Sequence, residues 1–174
     1  MKYKNANIEE CNNIYKKAIK EAGADNKGIF IHGNSGLGKT YFCHAVANGK
    51  KEKVENFVEL LYELRDNIPK GFYNDAIKNL CDREYLIIDD IGAEKLSDSV
   101  SELVYMIVNK RYENMKKTIL TTNLPFDKFS ERYGDRILSR IAEMCVMVEV
   151  TGEDKRLFKE DEKKIGPITS YKDN

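Results

Sequence analysis

Eight consecutive residues, Gly33-Asn34-Ser35-Gly36-Leu37-Gly38-Lys39-Thr40, constrain this chain more than any other segment. They fit the pattern G-x-x-x-x-G-K-[ST], in which glycines let the backbone curl until its N–H groups converge on phosphate oxygens. The pattern carries that meaning only between a buried strand and a helix. Here Gly28-Ile29-Phe30-Ile31-His32 reads as the strand, and Tyr41 to Asn48 as the start of the helix. The helix adds its positive N-terminal end to the loop. Lys39 supplies a point charge between β- and γ-phosphates, and the Thr40 hydroxyl is suited to Mg²⁺. Nucleotide binding by residues 33–40 is the first expectation.

A chain of 174 residues fits one domain that buries about 70% of its unfolded surface. Lys plus Arg and Asp plus Glu number 29 each, so the formal net charge is zero and no global field draws the chain onto nucleic acid. Any DNA contact must then use a local patch or several copies together. No apolar run approaches the roughly 18 residues of a membrane span, and no signal peptide is visible. A cytoplasmic location without a membrane partner follows as an expectation. Cys11, Cys43, Cys81 and Cys145 are scattered with no C-x-x-C pair, which argues for reduced, buried thiols and against zinc.

Residues 8–22 read as an amphipathic helix with Ile8, Cys11, Ile14, Tyr15 and Ala18 on one face, capped by Asn7 with Glu10 in the reciprocal position. Phe57, Leu60, Leu61 and Leu64 recur at helical spacing, as do Phe72, Ala76, Ile77 and Leu80, with Pro69-Lys70-Gly71 between them. Tyr85 to Ile88 is a continuous apolar strand. Val100, Leu103, Val104, Ile107 and Val108 mark a helix, and Thr118 to Thr122 another strand. Residues 125–130 read as a connection, 132–143 as helix and 146–150 as a last strand. Apolar strands alternating with helices argue for a parallel α/β sheet covered on both faces. The tail after Phe158 turns polar and reads as a loose end.

Tyr85-Leu86-Ile87-Ile88-Asp89-Asp90 is an apolar strand ending in two carboxylates. Such a strand delivers them to the carboxyl edge of the sheet, beside the phosphate loop. Asp89 then holds Mg²⁺ through water, and Asp90 orients or deprotonates the attacking water. Thr121-Thr122-Asn123 ends the next strand, where Asn123 either holds that water or belongs to an ordinary turn before Pro125. Arg136 and Arg140 lie four apart, on one helical face. Arginine neutralises charge in phosphoryl transfer, but on position alone a solvated surface is the better reading of this pair, and Arg156 is ambiguous.

Four stretches, GNSGLGKT, YLIIDDIGAEK, NKRYENMKKTILTTNLP and ERYGDRILSRIAEMCVMVEVTGEDKR, occur in the order found in the AAA+ ATPases of the DnaC/DnaI helicase-loader and IstB transposition-helper family, and the chain resembles that family over roughly residues 28–156. The resemblance implies a P-loop NTPase of AAA+ type, a three-layer parallel sheet flanked by helices without a C-terminal lid domain. It divides the chain into an N-terminal linker helix (1–27), an ATPase core (28–158) and a tail (159–174). It makes residues 33–40 Walker A, Asp89 and Asp90 Walker B, and Asn123 sensor 1. Arg140 becomes an arginine finger acting on the ATP of a neighbouring subunit, with Arg136 as fallback, and Arg156 a sensor-2-like arginine. ATP or ADP with Mg²⁺ are the implied ligands. Self-assembly, single-stranded DNA and a replicative helicase or a transposase are the implied partners.

Three departures accompany the resemblance. Only about one helix precedes the first strand, where loaders usually carry a helicase-gripping domain. Residues 50–66 read as helix where the family has a strand, because Lys53-Val54-Glu55-Asn56 is a poor strand; that member is either missing or very small. No helical lid follows the last strand. For DNA, Lys110, Arg111, Lys116 and Lys117 with Tyr112 form one basic cluster, and Lys50, Lys51 and Lys53 another. The competing function is a P-loop small-molecule kinase, which the Asp89-Asp90 pair fits less well than water-directed hydrolysis.

Overall fold

A computed structural model describes residues 2–154. Its strands are β1 (Gly28–Gly33), β2 (Val54–Asn56), β3 (Tyr85–Asp89), β4 (Lys117–Thr122) and β5 (Cys145–Val150). They form one sheet in the order β2-β3-β4-β1-β5, and every pairing is parallel. Among the described residues seven α-helices accompany them: α1 (Asn13–Ala24), α2 (Lys39–Lys50), α3 (Phe57–Asp66), α4 (Tyr73–Asp82), α5 (Asp98–Glu113), α6 (Phe126–Tyr133) and α7 (Asp135–Met144).

Strand residues alternate between two buried layers, which is why Ile29-Phe30-Ile31 and Leu86-Ile87-Ile88 are apolar at successive positions. Phe30, Leu86, Ile88 and Leu120 face a core shared with α3 to α7. Ile29, Ile31, Ile87, Ile119 and Val148 face a second core shared with α1 and α2. Because the strands are parallel, the ends of β1, β3 and β4 meet at one edge: His32 pairs with Thr122, and Ile88 with Leu120. This edge gathers Gly33, Asp89 and Asn123.

Three segments depart from the sequence expectation. The helix over 8–22 divides into a 3₁₀ turn, Ile8–Glu10, and α1. Asn7 does cap, taking the Glu10 N–H at 3.0 Å and donating to the Glu10 carboxylate at 2.9 Å, but it closes only the short turn. Asn12 starts the α-helix by accepting from the Ile14 N–H, and Ile14 itself is exposed. Second, of the two alternatives for this part of the chain the very small strand holds, as the three-residue edge strand β2, which interrupts the helix read over 50–66. Its inward side chain is Glu55, kept buried by Lys53 at 2.8 Å and Arg83 at 2.6 Å, so it has no apolar pattern to read. Third, residues 126–130 are helix. Pro125 precedes α6, whose Phe129 and Tyr133 are buried, and Gly134 at φ +93° separates α6 from α7. All four cysteines are free and buried. None of the described helices is long and apolar enough to cross a membrane.

Candidate functional site

At the carboxyl edge of the sheet lies a cavity of about 350 Å³. Of the residues expected at the site, Ser35, Gly36, Gly38, Lys39, Thr40, Asp89, Asp90 and Asn123 line it. Lys2, Tyr3, Tyr41 and Thr121 line it as well, and sequence reasoning missed these four. The loop descends from β1 into α2 through Gly36 at φ +78° and Gly38 at φ +90°, a region that residues with a Cβ enter at a cost. The side chain of Lys39 is drawn inward. Its Nζ donates to the Gly33 carbonyl at 2.5 Å and the Asn34 carbonyl at 2.7 Å, which closes the loop around its own lysine.

One hydroxyl holds the Asp89 carboxylate and the Asp90 backbone. Thr121 Oγ1 donates to Asp89 Oδ1 at 2.6 Å and accepts the Asp90 N–H at 3.0 Å. Asp89 is buried, and Asp90 takes the left-handed conformation at φ +62°. Asn123 Nδ2 donates to Asp90 Oδ1 at 2.6 Å, so the ends of β3 and β4 form one polar unit. Burial, then the charge of Asp89, raises the Asp90 pKa above the ordinary aspartate value, with Lys39 opposing. The loop beyond Asp90 is anchored by buried Glu94, which accepts from the Gly92 N–H at 2.9 Å, from Arg132 at 2.9 Å and from the Tyr133 hydroxyl. The Cys43 thiol lies 3.8 Å from Asp89, and its burial raises its pKa well above that of a free thiol, which leaves it inert.

The donor set fits a nucleotide with Mg²⁺. Thr40 and Asp89 offer the hard oxygens that Mg²⁺ prefers, and among the described residues no cluster of three or more His, Cys, Asp or Glu suggests a softer metal. The Asp154 carboxylate lies against Gly36, where a Cβ would project. A second hollow of about 340 Å³ shares Gly36, Gly38 and Tyr41 with the first and is walled by Asn12, Tyr15 and Leu37. Tyr15 braces it, donating to the Leu37 carbonyl at 2.9 Å and stacking on Phe42.

Other expected residues lie elsewhere. Gly33, Asn34 and Leu37 belong to the loop without lining the larger cavity. Arg136 and Arg140 stand on α7 against the rings of Tyr105 and Tyr112, and neither lines the cavity of its own chain. Arg156 and the tail fall outside the described residues.

One member of the first basic cluster is corrected by the structure. Arg111 is fully buried. It donates to Thr118 Oγ1 and to the carbonyls of Cys81, Arg83 and Lys117 at 2.6–2.9 Å, and more weakly to those of Leu80 and Glu84. It ties α4, β3 and β4 to α5 and is withdrawn from any DNA surface. The Tyr112 hydroxyl is spent on Glu143. Lys50 and Lys117 lie over the Tyr85 ring, and Lys53 pairs with Glu55 and Glu63. Lys110 stays exposed and Lys116 half-buried.

Comparison with known proteins agrees with this geometry. The family model for IstB-like ATP binding proteins matches residues 14–163. The chain is 28% identical over 141 residues to a protein described as an ATP-binding protein of insertion sequence IS232 from Bacillus thuringiensis subsp. berliner, covering 75% of this chain and 56% of that protein. It is 23% identical over 160 residues to the replicative helicase loader DnaI of Bacillus subtilis (strain 168), covering 82% and 51%. The chain thus spans about half the length of these curated relatives. The crystal structure of the DnaC helicase loader superposes with a TM-score of 0.73 at 26% identity, covering 86% of this chain and 99% of that one. The fold is therefore the P-loop AAA+ fold, and the chain belongs to the IstB-like ATP-binding protein family.

Proposed function

We propose that this chain is an ATP-hydrolysing switch that assembles with copies of itself on single-stranded DNA and delivers or remodels a partner protein, in the manner of a replicative helicase loader. The observation that carries the reading is the polar unit Asp89–Thr121–Asp90–Asn123 facing the same cavity as Lys39. Lys39 and the loop N–H groups bind the phosphates. Thr40 and Asp89 hold Mg²⁺, which neutralises charge on the phosphate oxygens when bound. Asp90, steadied by Asn123, orients the attacking water and takes its proton. The hollow beside Tyr15 and Leu37 receives the remainder of the nucleotide. Arg140 acts on the nucleotide of a neighbouring copy, with Arg136 beside it. Lys110 and Lys116 are the basic groups best placed for single strands.

A second reading, a transposition helper, draws on the family model and the insertion-sequence relative. It uses the same site and differs in the partner, a transposase in place of a helicase. A small-molecule kinase is disfavoured because the Asp90–Asn123 contact suits a water nucleophile.

The test is ATP turnover with and without single-stranded DNA, on the unmodified chain and on Asp90→Asn. The variant is expected to keep ATP binding and to lose about 10²–10⁴-fold in turnover. The direction of the Asp90 shift also sets the pH dependence. A base with a raised pKa works only when deprotonated, so turnover rises with pH through a limb lying above the ordinary aspartate range. Unchanged turnover in Asp90→Asn contradicts the assignment.

A further inference from the structure

We infer that Tyr105 and Tyr112 are positioning residues, a pair of aromatic rings that hold the Arg140 guanidinium ready for the nucleotide of a second copy of this chain. The inference rests on the reading of Arg140 as a residue acting between copies.

The arrangement follows from two helices. α7 buries Ile137, Ile141 and Met144, and Arg140, half-buried, lies at the edge of that face with exposed Arg136 one turn before it. α5 buries Val104, Ile107, Val108 and Arg111, and half-exposes Tyr105 and Tyr112. Seven residues are close to two helical turns, so these rings stand on one face. The Arg140 guanidinium lies 5.1 Å from the Tyr105 ring centre and 5.8 Å from that of Tyr112. Arg136 adds a second contact to Tyr105 at 5.4 Å.

A guanidinium is planar, with its five N–H donors in the plane and its faces free for aromatic contact. Ring contact therefore holds the group by attraction to the ring faces, while the Tyr105 hydroxyl takes one of its donors and leaves the others. The structure shows this division. Arg140 Nη1 is buried yet has no hydrogen-bond partner. Among the described residues no carboxylate forms an ion pair with Arg140. Glu143, one turn along the same helix, is engaged by the Tyr112 hydroxyl instead. Tyr112 thus performs two tasks: its ring supports the arginine, and its hydroxyl occupies the nearest carboxylate. An arginine used only for packing or solubility would satisfy its donors on carbonyls, as Arg111 does. Arg140 is half-buried, forms no ion pair and does not line the cavity of its own chain, so its donors other than the covered Nη1 are the ones left for an anion. A second copy supplies that anion.

The experiment mixes two inactive variants of the chain on single-stranded DNA. A donor, Lys39→Ala, lacks nucleotide binding and keeps Arg140. An acceptor, Arg140→Ala, binds nucleotide and lacks the arginine. Turnover is read per assembled complex, with assembly followed by light scattering. The mixture is expected to regain hydrolysis. Donors that also carry Tyr105→Leu or Tyr112→Leu should restore it roughly 10-fold to 10²-fold less well. Donors with Tyr105→Phe, which keeps the ring and loses the hydroxyl that bonds Arg140, and with Tyr112→Phe, which frees Glu143, should both fall between. Leu donors as effective as the parent donor, or a Tyr105→Phe donor as poor as the Leu one, overturn the positioning role. A parent mixture that stays inactive while the unmodified chain hydrolyses ATP overturns the reading of Arg140 itself, and the positioning role with it.

Discussion

Lys39 and Arg111 are both buried cations held by main-chain carbonyls, yet they stand at opposite ends of one design. Lys39 donates to Gly33 and Asn34 within a glycine loop and lines a cavity large enough for a ligand. Arg111 reaches five carbonyls and a hydroxyl on three other segments and lies under the other face of the sheet, in no cavity. A buried charge is costly unless it is paired or hydrogen-bonded. The fold spends Arg111 on satisfying the unpaired carbonyls where α4 ends and β3 begins, and it spends Lys39 on a loop that opens to ligand. Charge and burial are alike; what separates function from architecture is whether the hydrogen-bonding shell faces a cavity.

The contrast makes opposite demands on variants of the two residues. Arg111→Met removes the donors and leaves buried carbonyls unsatisfied. It is expected to cost about 1–3 kcal/mol of stability, the range for neutral buried acceptors left without a donor. Denaturant unfolding measures it, and a loss below about 1 kcal/mol would show that water replaces the guanidinium. Lys39→Ala should leave the unliganded fold nearly as stable and remove the ligand effect, which at about 100 times the dissociation constant is roughly 2.7 kcal/mol. The smallest effect is at Asp154, whose carboxylate lies against Gly36. A negative charge there opposes an incoming phosphate, so Asp154→Asn is expected to tighten ADP binding by up to about tenfold, read by calorimetry. Weaker binding would mean that Asp154 supports the loop instead.

Sequence periodicity reached the strands whose two faces are both apolar, β1, β3, β4 and β5, and it reached the polar groups at their ends. It failed at β2, where the single inward residue is Glu55 and the stabilising partners are Lys53 and Arg83, so the strand carries no apolar signal. α6 was obscured by Pro125 and by polar residues, although Phe126, Phe129 and Tyr133 keep a helical spacing. Arg111 was misread as surface for a related reason. It continues the series Val104, Ile107, Val108, and its place on that buried face outweighs its charge. Within the site, the loop and both aspartates were legible because the chemistry fixes residue type and order. Thr121 was missed as the link between Asp89 and Asp90, since a threonine in a strand reads first as β-propensity. Lys2 and Tyr3 were missed because folding brings them to the cavity from a distant part of the chain.

Thermal melting of three proteins, the unmodified chain, Lys39→Ala and Arg111→Met, each with and without MgATP, tests the central claim most directly. The unmodified chain should melt about 5–10 °C higher with ligand. Lys39→Ala should melt near the unliganded chain and ignore MgATP. Arg111→Met should melt well below both and still rise on ligand addition. A ligand response in Lys39→Ala equal to that of the unmodified chain, or none in the unmodified chain, would contradict the assignment of the cavity at the sheet edge to nucleotide.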